Sequence, residues 1–254
     1  CQVFYWDGKK PDNVLEDSAR EARYKMMTDF CRENNVEYLL TAHQSDDQIE
    51  TFLMNLSRGS GLYGLSAMLP KSSRDGVTIL RPLLDVPRSE IKKYCDDNNI
   101  RYFVDSMNSD EHYTRVKIRQ NRHLLDENLG ISDARILLAI QNLGRTREWM
   151  DKYISSRLEI VSRSWGALFS VSFLFDEEEE IRLKLLGLLI QKIGGNNYPV
   201  RLNSLQKALC NLEHDCKFTL GHCTIRRLND RILIVPEGKR TSFRKRHEKR
   251  KKFI

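Results

Sequence analysis

Residues 36–65 of the sequence predict a strand, a polar turn and a helix in close succession. The apolar run at 36–42 is typical of a buried parallel strand. Ser45 can cap a helix whose first turn carries Asp46 and Asp47, where carboxylates suit the positive end of the helix dipole. Apolar residues then recur at helical spacing, which predicts one buried helix face: Ile49, Phe52, Leu53 and Leu56.

Polar residues around this helix predict a nucleotide site. His43 follows the strand, at the carboxyl end where open α/β sheets bind ligands. Asp47 and Glu50 are three residues apart and share a second helix face. The glycine-rich run at 58–61 would let the backbone approach a ligand closely. A purely structural alternative stays open, because first-turn carboxylates often serve the dipole alone and glycine-rich exits are often helix caps.

Composition indicates a globular chain of two modest domains. The chain has 254 residues, of which 30% are charged and 40% hydrophobic. No apolar run approaches the roughly 18 residues of a membrane span, and no signal peptide is recognisable, so a cytoplasmic location is expected. The six cysteines form no Cys-x-x-Cys pair, and we predict no metal site made by the protein. The net charge of +7 favours a polyanionic partner.

Strands and helices alternate over residues 1–128, which predicts an α/β domain with a parallel sheet. A helix is expected to end near Asn34. Elements expected after the central motif are a strand at 77–80, a helix at 89–98 and a strand at 100–104.

Residues 129–238 predict a smaller, mostly helical domain with a few short strands. The expected elements are a long helix from about Ser132, a strand at 167–175, a helix opened by the acidic run at 176–180, a helix at 202–212, and strands at 217–220, 223–228 and 231–235. Asn229 and Asp230 would form a hairpin turn. The basic run at 239–254 is typical of a disordered tail.

The central motif resembles the second signature of the tRNA(Ile)-lysidine synthetases, a family of PP-loop ATP pyrophosphatases. That signature is a strand ending in Ala-His, then Asp-Asp-Gln-x-Glu-Thr and Arg-Gly-Ser-Gly-x-x-Gly-Leu. Here the same elements are residues 42–43, 46–51 and 58–65. Shorter similarities lie at 19–24, 81–84, 105–108, 114–119 and 193–201, so the resemblance spans nearly the whole chain.

The resemblance implies a set of site residues. The implied catalytic residues are His43, Asp47, Glu50, Arg23 and Arg115, and the implied nucleotide-binding residues are Arg58, Gly59, Ser60, Gly61 and Arg81. Asp47 or Glu50 would receive lysine or its proton, and Arg23 and Arg115 would stabilise phosphate or developing negative charge. Two departures from the family pattern concern this arrangement: Met107 stands where the family has Ser, and Val116 where it has Asn.

The resemblance also implies an activity. Members use ATP and Mg²⁺ to adenylate the C2 carbonyl oxygen of the wobble cytidine in the isoleucine tRNA with a CAU anticodon, and pyrophosphate leaves. The amino group of free L-lysine then attacks C2 and displaces AMP. The modified tRNA reads AUA instead of AUG. The implied fold is a partial PP-loop domain, resembling the adenine nucleotide alpha-hydrolases, at 1–128, followed by a helical accessory, tRNA-binding domain at 129–238.

The family's Ser-Gly-Gly-x-Asp-Ser phosphate loop does not occur in this sequence. We therefore expect a fragment that lacks the phosphate loop and is inactive alone. One alternative is another PP-loop tRNA-modifying enzyme, such as a tRNA thiolase. The thiolases that carry a cluster or a persulfide need paired cysteines near the site, and this sequence has none there. The other alternative is a non-catalytic tRNA-binding remnant. The oligomeric state is open, and a homodimer is one alternative.

Overall fold

The computed structural model describes residues 2–5, 15–103, 114–195, 199–214 and 216–238. The segment at 105–108 and the basic tail at 239–254, both interpreted above, lie outside the described residues. The chain divides into two compact units, Cys1–Arg147 and Glu148–Ile254, which are described in turn.

The first unit joins a small mixed sheet to helices. Its elements are α1 Leu15–Glu33, β1 Tyr38–Leu40, α2 Ser45–Ser57, α3 Leu62–Leu65, β2 Lys71–Arg74, β3 Val77–Leu80, α4 Arg88–Asp97, α5 Thr114–Asn121, α6 His123–Leu129 and the start of α7 Asp133–Val161. The strand order is β1-β3-β2, with β1 parallel and β2 antiparallel to β3. The predicted α/β class and the parallel pairing of the strand before His43 are confirmed.

Three local predictions for this unit are wrong. β1 is not buried, because among the described strands it pairs only with β3, and Leu40 is 63% exposed. Residues 100–103 form no strand, since no described strand lies beside them, and Phe103 is 97% exposed. Leu56 is 52% exposed, because the core contact of α2 covers only its first part. That contact comprises Ile49, Ile136 and Ile140, with Phe52, Leu53, Ala67 and Leu137 against them.

The second unit packs helices on one face of an antiparallel sheet. Its elements are the end of α7, β4 Ser162–Arg163, β5 Gly166–Ser170, α8 Val171–Phe175, α9 Glu179–Gly194, α10 Leu202–Glu213, β6 Lys217–Leu220, β7 Cys223–Leu228 and β8 Arg231–Pro236. The strand order is β4-β5-β8-β7-β6. Leucines of α9 and α10 pack against Ile225, Ile232 and Ile234 of the sheet to form the core.

The predicted elements among the described residues of the second unit hold with two exceptions. The long helix, the helix at 202–212 and the last three strands are confirmed within about a residue, and Asn229 adopts φ 53° in the predicted turn. The helix expected to open with the acidic run begins only at Glu179, after its N-cap residue Glu178. The expected strand at 167–175 stops at Ser170, whose side chain accepts a hydrogen bond from the Phe173 N–H at 3.1 Å. This cap starts a helix, so Val171–Phe175 is helical and the strand prediction is wrong there.

The division of the chain into two units falls within the residue range of α7, between Arg147 and Glu148, whereas the sequence predicts a domain boundary near residue 128. The domain limits therefore stay a prediction. None of the described helices combines the length and the apolar character that a membrane-crossing helix needs.

The core of the second unit should depend on Leu186. Leu186→Ala is expected to lower its free energy of unfolding by about 2–5 kcal/mol, because Leu186 is fully buried and the neighbouring helix and sheet can close the cavity only in part. Chemical denaturation of the chain would measure this. Leu202→Ala is the matched control, since Leu202 is 56% exposed; an equal loss in both variants would contradict the packing described.

Candidate active site

His43 is half-buried directly after β1. The preceding Thr41 donates its N–H to the Leu80 carbonyl of β3 at 2.9 Å, which fixes the strand end. The Thr41 hydroxyl and His43 Nδ1 are 2.9 Å apart and share a hydrogen bond. The His43 ring is therefore positioned by Thr41, whose own backbone is hydrogen-bonded to the sheet.

Burial lowers the pKa of His43 below its usual value, and the field of nearby charges modifies this effect. The Asp47 carboxylate raises the pKa, whereas the positive charges of Arg81, Arg20 and Arg115 lower it further. Three arginines, from α1, the end of β3 and α5, thus act on the charge of one imidazole. The site thus favours a neutral His43 and a net positive surrounding.

Two carboxylates in the first turn of α2, those of Asp46 and Asp47, accept hydrogen bonds that fix the start of the helix. Gln44, and not Ser45 as predicted, is the N-cap residue, and Ser45 is buried as the first helical residue. Asp47 accepts a hydrogen bond from the Gln44 N–H at 3.0 Å. Asp46 accepts from the Arg88 N–H at 2.9 Å and from Arg122 at 2.6 Å. Burial would raise the pKa of Asp46, but these two donors outweigh it and the pKa is lowered.

Glu50 forms a buried ion pair that the sequence did not reveal. Its Oε1 accepts a hydrogen bond from Arg119 Nε at 2.8 Å, and its side chain is 1% exposed. The hydrogen bond from Arg119 to Glu50 raises the pKa of the arginine. Glu50 Oε2 is buried without a partner among the described residues. The pair fastens α5 to α2 across 69 residues of sequence.

The two predicted catalytic arginines are placed differently. Arg115 lies one turn before Arg119 on α5, and its Nε is buried with no partner among the described residues. Arg23 is exposed on α1, and no described hydrogen bond or ion pair engages it. Arg20, one turn earlier, lies with its guanidinium 5.6 Å from the Tyr24 ring and acts on His43 electrostatically. The geometry thus brings Arg115 toward His43 and leaves Arg23 at the surface.

The glycine-rich run forms a fixed turn after α2. Gly59 has φ +67°, a conformation that favours glycine, and the Ser60 N–H donates to the Asn55 carbonyl at 3.0 Å. The Asn55 side chain donates to the Gly64 carbonyl at 2.8 Å. A Cβ at Gly64 would lie 2.5 Å from Ser60 Cβ, so only glycine fits there.

The other residues predicted to bind the nucleotide differ in their exposure and in the hydrogen bonds that they already make within the protein. Arg58 ends α2 and is exposed, and Gly61 is the N-cap of α3. Arg81 is 9% exposed and donates to the Leu69 carbonyl at 2.7 Å and to the Ser72 hydroxyl at 3.0 Å. Its Nε is buried without a partner among the described residues, so the hydrogen-bonding capacity of Arg81 is not fully used by the protein.

Several residues that support the site were not predicted. Gln48 donates to the Met68 carbonyl and accepts from the Met68 N–H, both at 2.9 Å. Arg147 donates to the Tyr63 carbonyl at 3.3 Å and to the Ser66 hydroxyl at 3.0 Å, next to the glycine-rich turn. In the sequence, only the four-residue spacing of Arg115 and Arg119 indicates a role for Arg119. That spacing does not indicate that Glu50 is the partner of Arg119.

A cavity of about 500 Å³ opens beside this site. Its wall is formed by Ala42 and Gln44 at the end of β1, with Leu83 and Tyr102 as apolar surface and Arg88 and Lys92 as cations. This volume suits a ligand of nucleotide size. In the part of the chain that the structure describes, no group of three His, Cys, Asp or Glu side chains could hold a metal ion.

The comparisons with known proteins define the class first. Residues 1–125 match the family model of the PP-loop domain. Most of the first unit therefore matches a PP-loop domain, a class of domain that implies the use of ATP.

Similarity to particular proteins covers almost the whole chain. The chain is 34% identical to the tRNA(Ile)-lysidine synthase of Wolbachia pipientis wMel over 94% of its length, and 36% identical to that of the Wolbachia of Brugia malayi (strain TRS) over 93%. It spans 56% of the length of each relative. The resemblance to the tRNA(Ile)-lysidine synthases predicted from the motifs is thereby confirmed.

A solved structure, that of the U34-tRNA thiolase NcsA from Methanococcus maripaludis with its 4Fe–4S cluster, is a more distant match. The match covers 53% of this chain and 47% of the thiolase chain, with a TM-score of 0.41 and 18% sequence identity.

His43 should titrate below about 6.5, because burial and three arginines disfavour the imidazolium. Asp47→Asn is expected to lower the pKa of His43 further, since the variant removes a negative charge that favours the protonated imidazole. NMR titration of the imidazole would measure both values. A pKa of His43 at or above 6.5, or an increase in Asp47→Asn, would contradict this electrostatic description.

The same shift links His43 to stability. A histidine with a lowered pKa in the folded state stabilises the fold above its unfolded pKa, and this contribution is lost as the pH falls through the folded value. The free energy of unfolding should therefore decrease from pH 7 downward, and less steeply in His43→Asn. Denaturation at several pH values would show this, and parallel curves for the two proteins would exclude it.

Loss of Arg119 should destabilise the first unit. Arg119→Met is expected to cost about 3 kcal/mol in unfolding free energy, near the lower limit for buried pairs, because Arg119 is still 30% exposed and Glu50 would keep an uncompensated charge. The double variant Glu50→Gln/Arg119→Met should recover part of the loss. Lys25→Met, which breaks an exposed pair with Asp29, is the control expected to change little. Denaturant titration would rank the variants, and an additive double variant would show that the pair is not coupled.

Proposed function

We propose that this chain carries out, as part of its gene product, the reaction of a tRNA(Ile)-lysidine synthase. ATP would activate C2 of the wobble cytidine in the CAU-anticodon isoleucine tRNA as an adenylated base. Free L-lysine would then attack C2 through its amino group and displace AMP. The observation that carries this proposal is the 34–36% identity to lysidine synthases over 93–94% of the chain.

The site chemistry supports the proposal. Pyrophosphate departure leaves negative charge that cations must stabilise, and Arg115 and Arg81 each keep a buried, unpartnered Nε near His43. Adenylation of a neutral carbonyl oxygen needs no proton from His43, which suits an imidazole that is neutral near pH 7. The role of Arg58, Gly59, Ser60 and Gly61 would be to line the nucleotide with backbone and cationic groups.

The two acidic residues of α2 would have different roles. Glu50 is 1% exposed and already paired with Arg119, so its charge is committed to positioning α5 and Arg115. Asp47 is only partly buried and its described partner is a single backbone N–H, that of Gln44. We therefore assign to Asp47 the binding of the lysine ammonium and the acceptance of its proton, and to Glu50 a supporting role.

The support for ATP and the support for Mg²⁺ in this proposal come from different observations. The PP-loop domain implies ATP, whereas Mg²⁺ usually binds through one or two carboxylates together with phosphate oxygens of the substrate. The described residues offer no group of three His, Cys, Asp or Glu side chains that could hold a metal ion, so the protein would contribute a single carboxylate, that of Asp47, during adenylation and before lysine enters. A bound Mg²⁺ would supply charge neutralisation on the pyrophosphate. A cytoplasmic location and a homodimer are further, independent parts of the proposal.

Lysidine formation tests this function. The complete gene product that contains this chain is incubated with ATP, Mg²⁺, lysine and unmodified CAU isoleucine tRNA, and digested tRNA is analysed by mass spectrometry. Lysidine should appear, and Asp47→Asn should slow its formation by about 100-fold or more, as expected for loss of a general base. Asp97→Asn, an exposed carboxylate of α4, is the matched control and should leave the rate unchanged.

The outcomes separate the alternatives. Absence of lysidine together with a different modified nucleoside would assign the chain to another tRNA-modifying activity. Tight tRNA binding without any ATP-dependent product would identify a non-catalytic tRNA-binding protein. An unchanged rate in Asp47→Asn, with lysidine formed, would remove Asp47 from the role of base while leaving the overall function in place.

A further inference from the structure

The hydrogen bond between Thr41 and His43 can run in two directions. Thr41 Oγ1 and His43 Nδ1 are 2.9 Å apart. In one direction the hydroxyl donates to Nδ1, and the proton of a neutral ring is then on Nε2. In the other direction Nδ1–H donates to the hydroxyl, and Nε2 carries a lone pair instead. The direction therefore decides whether Nε2 of His43 donates a hydrogen bond to a ligand or only accepts one.

The His43 ring is neutral near pH 7. Burial is the main cause that lowers its pKa. The charges of three arginines act in the same direction, and the charge of Asp47 opposes them. A neutral imidazole has one N–H donor and one acceptor nitrogen. The partners of the two nitrogens therefore decide which of them carries the single proton.

The partners of the Thr41 hydroxyl indicate that it is the donor. A hydroxyl has one proton to donate, and a hydrogen bond forms only where that proton meets an acceptor. Among the described residues, His43 Nδ1 is the one hydrogen-bond partner of the Thr41 side chain. If Nδ1 kept the ring proton, the hydroxyl proton would have no acceptor in this part of the protein. The hydrogen-bond partners thus assign the ring proton to Nε2.

The sheet holds Thr41 in place for this contact. The Thr41 N–H donates to the Leu80 carbonyl of β3 at 2.9 Å. Threonine is β-branched, so its χ1 angle has few allowed values and the hydroxyl loses little further freedom when it bonds to the ring. The donor is therefore presented to His43 from a fixed point at the end of β1.

The other ring nitrogen, Nε2, is left to a ligand. Within the described residues it has no hydrogen-bond partner. The positive charges of Arg81, Arg20 and Arg115 act on the same ring, and such a surrounding favours an anionic ligand. A lone pair on Nε2 would repel an anionic oxygen, whereas Nε2–H donates to it. The Nε2–H form therefore suits the charge of the surrounding site.

We propose that Thr41 is a positioning residue that holds His43 in the Nε2–H form, so that the neutral ring donates a hydrogen bond to a phosphate oxygen of the substrate. The proposal rests on the proposed function for the identity of that phosphate, which is a phosphate of ATP. A neutral imidazole can stabilise an oxygen that gains negative charge without giving up its own proton. That oxygen gains charge as pyrophosphate leaves.

The position of the ring proton tests this proposal. In the full chain labelled with ¹⁵N-histidine, at a pH where the ring is neutral, Nε2 should show the shift of a protonated nitrogen and Nδ1 that of an acceptor. The spectrum of His43→Asn identifies the resonances. Thr41→Val should move the two ¹⁵N shifts toward each other, because the ring then exchanges between its two neutral forms. Thr41→Ser, which keeps the hydroxyl, should restore the parent spectrum.

Two spectroscopic results would overturn the proposal. A protonated Nδ1 in the parent would reverse the direction of the hydrogen bond. Unchanged shifts of both nitrogens in Thr41→Val would show that the hydroxyl does not hold the ring in one form. Circular dichroism of each variant shows whether folding is retained.

The rate of AMP transfer tests the consequence for the reaction. In the complete gene product, Thr41→Val should lower the single-turnover rate of AMP transfer from ATP to the CAU isoleucine tRNA by about tenfold, the effect of one lost hydrogen bond. The ATP concentration that gives half the maximal rate should change little, because the bond to Nε2–H strengthens only as charge develops. Thr41→Ser should react at nearly the parent rate.

The matched control is Thr78→Val, the same exchange on β3, where the described residues form no hydrogen bond with the threonine side chain. Thr78→Val should react at the parent rate. An equal loss of rate in Thr78→Val and Thr41→Val would reduce the effect to a disturbed sheet and overturn the proposal. A parent rate in Thr41→Val would overturn it directly.

The two measurements separate this proposal from the proposed function. A parent protein that transfers no AMP, but whose ring is Nε2–H and responds to Thr41→Val, would reject the proposed function and keep Thr41 as the residue that sets the ring proton. AMP transfer by a parent protein whose ring proton is on Nδ1 would support the function and reject the role of Thr41.

Discussion

The ion pair between Glu50 and Arg119 is the interaction on which the candidate site depends. Glu50 projects from the helix that follows His43, and Arg119 lies on the helix that carries Arg115, so one 2.8 Å contact sets two functional elements against each other. A carboxylate that is 1% exposed is costly to bury unless a cation meets it, which makes the contact obligatory rather than optional. Asp46 makes a second ion pair of this kind, because its carboxylate accepts a hydrogen bond from Arg122, which directly follows α5.

The field at His43 follows from this arrangement. Arginines from three separate elements act on one half-buried imidazole, and Asp47 is the carboxylate that opposes them. The result is a neutral imidazole in a positive surrounding, which suits the stabilisation of negative charge on a departing pyrophosphate. Under the proposed function, Asp47 would take the proton from the lysine ammonium and so release the amine nucleophile, because Glu50 is already held by Arg119.

Local patterns in the sequence predicted most helices and strands. The elements that were missed are those for which the local pattern was overlooked or fits more than one structure. The strands Lys217–Leu220, Cys223–Leu228 and Arg231–Pro236 were predictable because apolar and polar residues alternate along them. β2 was missed although Asp75 and Gly76, with φ of 50° and 81°, form a two-residue hairpin turn that the Asp-Gly signal indicates. Val171–Phe175 was missed because a short apolar run does not distinguish a strand from a helix.

The site shows the same division. His43, Asp47 and Glu50 could be placed from one contiguous motif, but the partner of Glu50 lies 69 residues away, and no local pattern encodes that contact. Arg23 and Arg20 illustrate the converse: both fit a helical spacing, yet only the structure shows that Arg20 acts on His43 while Arg23 is exposed. Spacing identifies a face of a helix and leaves its partner undetermined.

The central claim is that this site adenylates a tRNA base before lysine attacks. The most direct measurement is transfer of radiolabelled AMP from ATP to CAU isoleucine tRNA by the complete gene product in the absence of lysine. The account predicts tRNA-bound label that is released as AMP when lysine is added. Failure to label the tRNA, under conditions in which the tRNA is bound, would contradict it.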